Sequence, residues 1–343
     1  ETSGIGDVYK RKVYGYNNKN LGDDLMFASI INNTNYERYF FYGNQTQPEF
    51  VSKKVEFIKY GRALPLRWKF KADFAVIGGS VVMGKEDKHF NMIRQKVRFC
   101  ILNKIFGGHN FIVGANLGPY RDKSEYLGYL KSLNAWVDKW LLRDSFSHSL
   151  IAETGTKKSI KMPDIVMGFP VDKYKSIKSE KCVSISVTKV EKDGKGNISS
   201  TPYIDEIKQW VSFYIALGYT IEFVSFEDSV DLEVINLILN RVNNEYLDKI
   251  KVVKYNKDDV LISLAKAEIV ISTRFHSMVL AALLDKKQVI YSYSDKTSNF
   301  AKDYGFIVHP VTGVIEGKNA YQTTFEQSDI DLAKNYPKLL MSK

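Results

Sequence analysis

The sequence predicts an α/β protein of two Rossmann-like domains facing a cleft. Three observations lead there. Short apolar runs alternate with helical segments, the pattern of parallel sheets covered by helices on both faces. The runs fall into two series, separated by the lysine- and serine-rich stretch Lys173–Lys181. The chain has 343 residues, too many for one ordinary core and suited to two medium ones.

The first series reads as strands at Val13–Tyr16, Tyr39–Tyr42, Val55–Lys59, Phe74–Ile77, Phe111–Val113 and Trp140–Leu142. The second reads as strands at Val183–Val187, Ile221–Phe226, Ile250–Tyr255, Ile269–Ser272 and Val289–Tyr293. Helical segments lie between most of them, as at Ile204–Leu217, where Ile207, Val211 and Ile215 recur on one face. Domains are therefore expected at residues 1–172 and 173–343, with the polar stretch Glu191–Ser200 as a surface or lid loop in the second.

Composition narrows the class. The apolar fraction is 44% and the charged fraction 26%, ordinary values for a globular protein. No stretch approaches the ~20 apolar residues of a membrane span. Glu1-Thr2-Ser3-Gly4 reads as a trimmed start without a signal region. Cys100 and Cys182 are too few for a disulfide framework or a zinc site, so a cytoplasmic location is expected. The net charge of +10 suits either a solvated surface or an anionic partner. The aromatic residues fall mainly in core-like runs, and no nucleic-acid module is present, so nucleic acid is not expected as the partner.

Ligands of open parallel sheets bind beyond the carboxyl ends of the strands, so polar residues at strand ends are the candidates. After the first strand comes Asn20-Leu21-Gly22-Asp23-Asp24, which opens an apolar helix; either Asp caps that helix or serves a sugar hydroxyl. Gly78-Gly79-Ser80 and Gly114-Ala115-Asn116 are glycine-rich turns that fit a ligand or a plain tight turn. Arg143 stands at the tip of another strand, where its guanidinium would point into the cleft, with Asp144 or Ser145 as a natural cap. The most informative segment is Ser272-Thr273-Arg274-Phe275-His276, in which a buried-type strand runs directly into an apolar helix. Arg274 supplies a bidentate clamp for a carboxylate or phosphate at the helix start, and His276 a general acid or base beside that anion. Lys296 lies beyond the next strand on the same sheet edge. Three cations around one His suit a small, highly charged anion.

Asn20–Asp24, Gly78–Ser80, Arg143-Asp144 with Ser147, Pro163-Asp164 and Ser272–His276, in that order, resemble the polysaccharide pyruvyltransferases. The resemblance implies a GT-B-like fold, phosphoenolpyruvate as donor, and a sugar hydroxyl pair as acceptor. It further implies a cyclic pyruvate ketal as product, with no metal and no cofactor beyond the co-substrate. It assigns Arg143, Arg274, Phe275, His276 and Lys296 to the donor. Phe275 stands where the family often has Leu. The chemistry makes His276 the proton-transfer group, with Asp23 or Asp24 as the base near the acceptor. Asn20, Gly22, Asp23, Gly79, Ser80 and Asn116 are expected on the acceptor side, which the first domain would supply.

Two other classes share the architecture: a nucleotide-sugar glycosyltransferase and a non-catalytic binding protein. The helical segment His89–Phe106 carries Arg94, Lys96, Arg98 and Lys104 and no acidic residue. It is either a sheet-covering helix with a basic outer face or a contact with anionic lipid near a polyprenyl-linked acceptor.

Overall fold

The computed structural model describes residues 10–15, 19–42, 48, 50–51, 53, 55–58, 72–190, 202–311 and 317–341. Tyr16, Lys59 and the loop Glu191–Ser200 lie outside the described residues. The chain forms two compact units. The first takes Glu1–Asn18, Asp23–Phe169 and Ser328–Lys343; the second takes Lys19–Gly22 and Pro170–Gln327.

The first unit holds β1 (Lys10–Gly15), β2 (Arg38–Tyr42), β3 (Val55–Ile58), β4 (Asp73–Ile77), β5 (Val82–Gly84), β6 (Asn110–Ala115), β7 (Leu117–Tyr120), β8 (Lys139–Leu142) and β9 (Ser159–Lys161). Its main sheet runs β3-β2-β1-β4-β6-β8-β9, parallel throughout, while β5 and β7 pair with each other. Chain order reverses between β1 and β4, the kind of switch point beyond whose carboxyl ends open parallel sheets bind ligands. The helices are α1 (Leu21–Asn33), α2 (Asp87–Ile105), α3 (Lys123–Asn134) and α4 (Ser145–Ala152). Local chemistry starts them: Asp122 caps α3, and Asp144 caps α4 by accepting the Ser147 N–H at 2.7 Å. Tyr14, Phe74, Phe99, Ile112, Tyr126 and Trp140 belong to the core between sheet and helices.

The second unit repeats the plan with α5 (Asp172–Lys175), β10 (Glu180–Ser186), α6 (Pro202–Ala216), β11 (Thr220–Val224), α7 (Asp228–Leu239), β12 (Ile250–Val253), α8 (Lys257–Lys266), β13 (Ala267–Ser272), α9 (Phe275–Leu283), β14 (Lys287–Ser292), α10 (Asp295–Asp303), β15 (Val308–Pro310) and β16 (Tyr321–Gln322). The order is β12-β11-β10-β13-β14-β15, parallel, with β16 antiparallel on β14. Its reversal lies between β10 and β13, where the Thr273 N–H donates to Ser186 O at 3.1 Å.

Two parts of the chain differ from the expected division. Lys173–Lys181 is not a plain linker: α5 opens it with Tyr174 buried, and β10 begins at Glu180. The carboxyl-terminal α11 (Gln327–Lys334) and α12 (Tyr336–Met341) do not complete the second unit. From Ser328 onward the chain packs on the first, where Tyr336 is buried and Lys139 Nζ donates to Leu339 O at 2.6 Å.

Candidate functional site

In the second unit, Arg274 is the N-cap of α9, directly beyond β13. An Arg side chain has no acceptor with which to cap the helix, so its guanidinium is free to turn sideways. It meets Asp231, fully buried in α7, which takes Nε at 2.9 Å and also pairs with Nη2. Asp231 is itself fixed, because Oδ2 accepts the N–H groups of Phe226 at 2.9 Å and Glu227 at 3.1 Å. Burial raises the Asp231 carboxyl pKa, against the pull of Arg274 and the two amides. For Arg274, burial opposes the charge, yet Asp231 and Glu227 outweigh it and raise its pKa. The guanidinium is therefore a fixed cation. Among the described residues its Nη1 makes no hydrogen bond.

Glu227 Oε2 accepts Arg274 Nη2 at 3.3 Å and Asn20 Nδ2 at 3.0 Å. Asn20 Oδ1 in turn accepts the Gly22 N–H at 3.1 Å, and the Leu21 N–H donates to Phe226 O at 2.8 Å. Gly22 packs against the imidazole of His276, which is buried; a Cβ at that position would overlap Nδ1. Only glycine fits there. Asn20, Gly22, Arg274 and His276, distant in the chain, thus meet in one place. Phe275 points instead into the core, edge-on to Phe300 at 5.1 Å between ring centroids. Lys296 stands in the first turn of α10, half-buried, with Nζ 5.5 Å from the Tyr293 ring centroid.

In the first unit, Arg143 is buried rather than open at a strand tip. Nη1 donates to Asp164 at 2.8 Å and Nη2 to Asn116 at 2.8 Å. Gly79 lies against the same guanidinium, with no room for a Cβ, and its carbonyl accepts the Asn116 N–H at 2.9 Å. Asp164 also caps a short 3-10 turn through Val166 N–H. Arg143, Asn116, Asp164 and Gly79 form a hydrogen-bonded hub across the ends of β4, β6 and β8. Asp23 is half-buried, with Oδ1 3.8 Å from where a Cβ on Gly78 would stand; Asp24 is buried and Ser80 half-buried.

The structure places these residues in two groups. Asn20 and Gly22, assigned to the acceptor side, sit with Arg274 and His276 in the second unit. Arg143, assigned to the donor, sits with Asn116 in the first. Neither Asp23 nor Asp24 is the N-cap of α1: both lie within its first turn, and the Asn20 side chain caps it. Glu227 and Asp231 escaped the strand-end search, although the run Ile221–Phe226 ends directly at Glu227.

A sequence model of the polysaccharide pyruvyl transferase family matches residues 20–295, from the capping Asn20 to the start of α10. The chain belongs to that family. Like its other members it is a transferase, and Lys296 lies one residue beyond the match. No curated protein matches the chain by sequence.

Solved structures show the fold. UDP-GlcNAc 2-epimerase from Methanocaldococcus jannaschii is 11% identical, with TM-score 0.58 over 97% of this chain and 99% of its own. HepE from Anabaena, solved with UDP and glucose, is 11% identical, with TM-score 0.54 over 97% and 91%. The Neisseria meningitidis epimerase is 12% identical, with TM-score 0.53 over 97% and 91%. At these identities the likeness establishes a GT-B-like fold for the pyruvyl transferase and nothing about its ligands.

Proposed function

We propose that this pyruvyl transferase moves the three-carbon unit of phosphoenolpyruvate onto two hydroxyls of a sugar destined for a bacterial surface polysaccharide. The product is a cyclic ketal, and phosphate is released. The observation that carries the reading is the pairing of Arg274 with His276 at the sheet's reversal point. Two carboxylates fix the guanidinium while its Nη1 makes no hydrogen bond among the described residues, beside an imidazole seated on Gly22. A fixed cation next to a proton-transfer group suits an anion that must be protonated on carbon.

The atoms balance. A proton delivered to the methylene carbon of the donor turns CH2 into CH3 and leaves the adjacent carbon electrophilic. One sugar hydroxyl attacks that carbon, the C–O bond to phosphate breaks, and the second hydroxyl closes the ring. Of the two hydroxyl protons, one replaces the proton given to carbon and the other leaves on phosphate. His276 delivers the first proton. Arg274 and Lys296 hold the donor's carboxylate and phosphate. Asp23, half-buried at the start of α1, is the carboxylate for an acceptor hydroxyl. The acceptor takes the form of a free, polymeric or polyprenyl-diphosphate-linked sugar, and in the last case the basic face of α2 rests on the membrane that carries it.

The test supplies phosphoenolpyruvate with candidate sugars and measures phosphate release and the mass gain of the acceptor. Release of nucleoside diphosphate from a nucleotide sugar would replace the reading with glycosyl transfer. Turnover with neither donor would leave a binding protein.

A further inference from the structure

We propose that Glu227 is a positioning residue for the transfer: it holds the Asn20–Gly22 turn on Arg274 and so seats the imidazole of His276. The inference rests on the pyruvyl-transfer reading and adds to it a residue that touches neither donor nor acceptor.

Glu227 Oε2 is shared by Arg274 Nη2 at 3.3 Å and Asn20 Nδ2 at 3.0 Å, a contact spanning 207 positions of the chain. The Leu21 N–H adds a backbone bond to Phe226 O at 2.8 Å. The turn is thereby docked on the end of β11 by side chain and main chain together. Gly22 follows two residues after Asn20 and carries no side chain, so its backbone forms a wall against the His276 ring. Where that wall stands depends on the turn, and the turn depends on Glu227.

Charge gives the proposal its sharpest consequence. Asp231 makes the closer contacts to the Arg274 guanidinium, and Glu227 adds a second carboxylate through Nη2 at 3.3 Å. That second negative charge stands beside a site meant for an anion and weakens donor binding. A carboxylate retained only to bind the donor would not sit there. One retained for position would oppose binding and support the chemical step.

The experiment compares Glu227→Ala and Glu227→Gln in the full chain by phosphoenolpyruvate kinetics, titration with inorganic phosphate, and the NMR resonances of the His276 ring. Glu227→Ala is expected to bind phosphate ~3- to 10-fold more tightly and to lose kcat by ~10- to 100-fold, an opposed split that general loosening does not produce. Its His276 resonances should move. Glu227→Gln keeps an oxygen for Asn20 and Arg274, so kcat and the imidazole resonances should stay near wild type while phosphate binding remains tighter. Wild-type kcat in folded Glu227→Ala, or a Glu227→Gln as slow as the Ala variant, would overturn the proposal. If Glu227→Ala does not fold, the near-isosteric Gln variant decides alone, and moved His276 resonances in it would sink the idea. The phosphate and NMR measurements need no donor turnover. A wild-type protein that fails to release phosphate from phosphoenolpyruvate therefore counts against the pyruvyl-transfer reading and not against the positioning role.

Discussion

Arg274 and Lys296 carry the same charge in different settings, and the settings decide what their removal does. Arg274→Ala would strand the buried Asp231 without its cation, a loss of about 3–5 kcal/mol for a broken buried pair, so that variant mixes stability with binding. Lys296, half-buried and without a carboxylate partner among the described residues, is the cleaner probe. Lys296→Ala should raise the KM for phosphoenolpyruvate with little change in melting temperature. His276→Ala should instead lose mainly kcat, by ~10²–10⁴-fold for a missing general acid or base. Steady-state kinetics on the two variants separates these roles. Near-normal kcat in folded His276→Ala would leave the imidazole as a packed helix-start residue.

At the scale of single elements, the first turn of α1 shows what sequence reading reaches and where it stops. The strand-to-helix junctions were legible, because apolar runs followed by polar turns mark strand ends wherever a parallel sheet is buried on both faces. The division of labour within a junction was not. Asn20, Asp23 and Asp24 all have capping chemistry, and only the positions of the backbone N–H groups show that Asn20 does it. With capping assigned elsewhere, the two acids separate by burial. Asp23→Asn should lower turnover with unchanged stability, whereas Asp24→Asn, at a buried position, should lower the melting temperature. Equal effects of the two on turnover and stability would remove the acceptor role of Asp23. On α2 the sequence showed a basic face and the structure shows where it lies. Arg94 and Arg98 are exposed, Lys96 is turned fully inward, and Ile105 is 69% exposed near the helix end. If this face meets anionic lipid at ~1 kcal/mol per basic residue, Arg94→Glu combined with Arg98→Glu should abolish co-sedimentation with phosphatidylglycerol vesicles at low salt. A wild-type protein that ignores those vesicles would end the membrane reading.

Across the whole molecule, the chain's return to its first unit was hidden because α11 and α12, of 8 and 6 residues, are too short for an apolar periodicity to place them, although α12 carries Tyr336, Leu339 and Leu340. The inward turn of Lys12 and Lys96 was hidden for a related reason: a lysine inside an apolar strand or a basic helix reads as a surface residue. Both are fully buried in the first unit, Lys12 donating to Asn103 at 2.9 Å and Lys96 lying 4.8 Å from the Tyr14 ring centroid. Burial pulls each ammonium down to about 7. Unfolded lysine titrates near ~10.4, so above pH ~7 the unfolded chain binds more protons than the folded one and stability must rise with pH. Two thiols work the other way. Burial pushes Cys100 up to about 12 and raises Cys182 as well, so above the usual thiol pKa of ~8.5 the unfolded chain binds fewer protons there and stability is drawn down. The expected profile climbs from pH ~7 to ~8.5 by about 1 kcal/mol per unit for each lysine and then flattens. Urea midpoints measured across that range test it. Lys96→Met should halve the climb, and Cys100→Ala should extend it to higher pH; a midpoint independent of pH from 7 to 8.5 would mean that both lysines stay charged inside the fold.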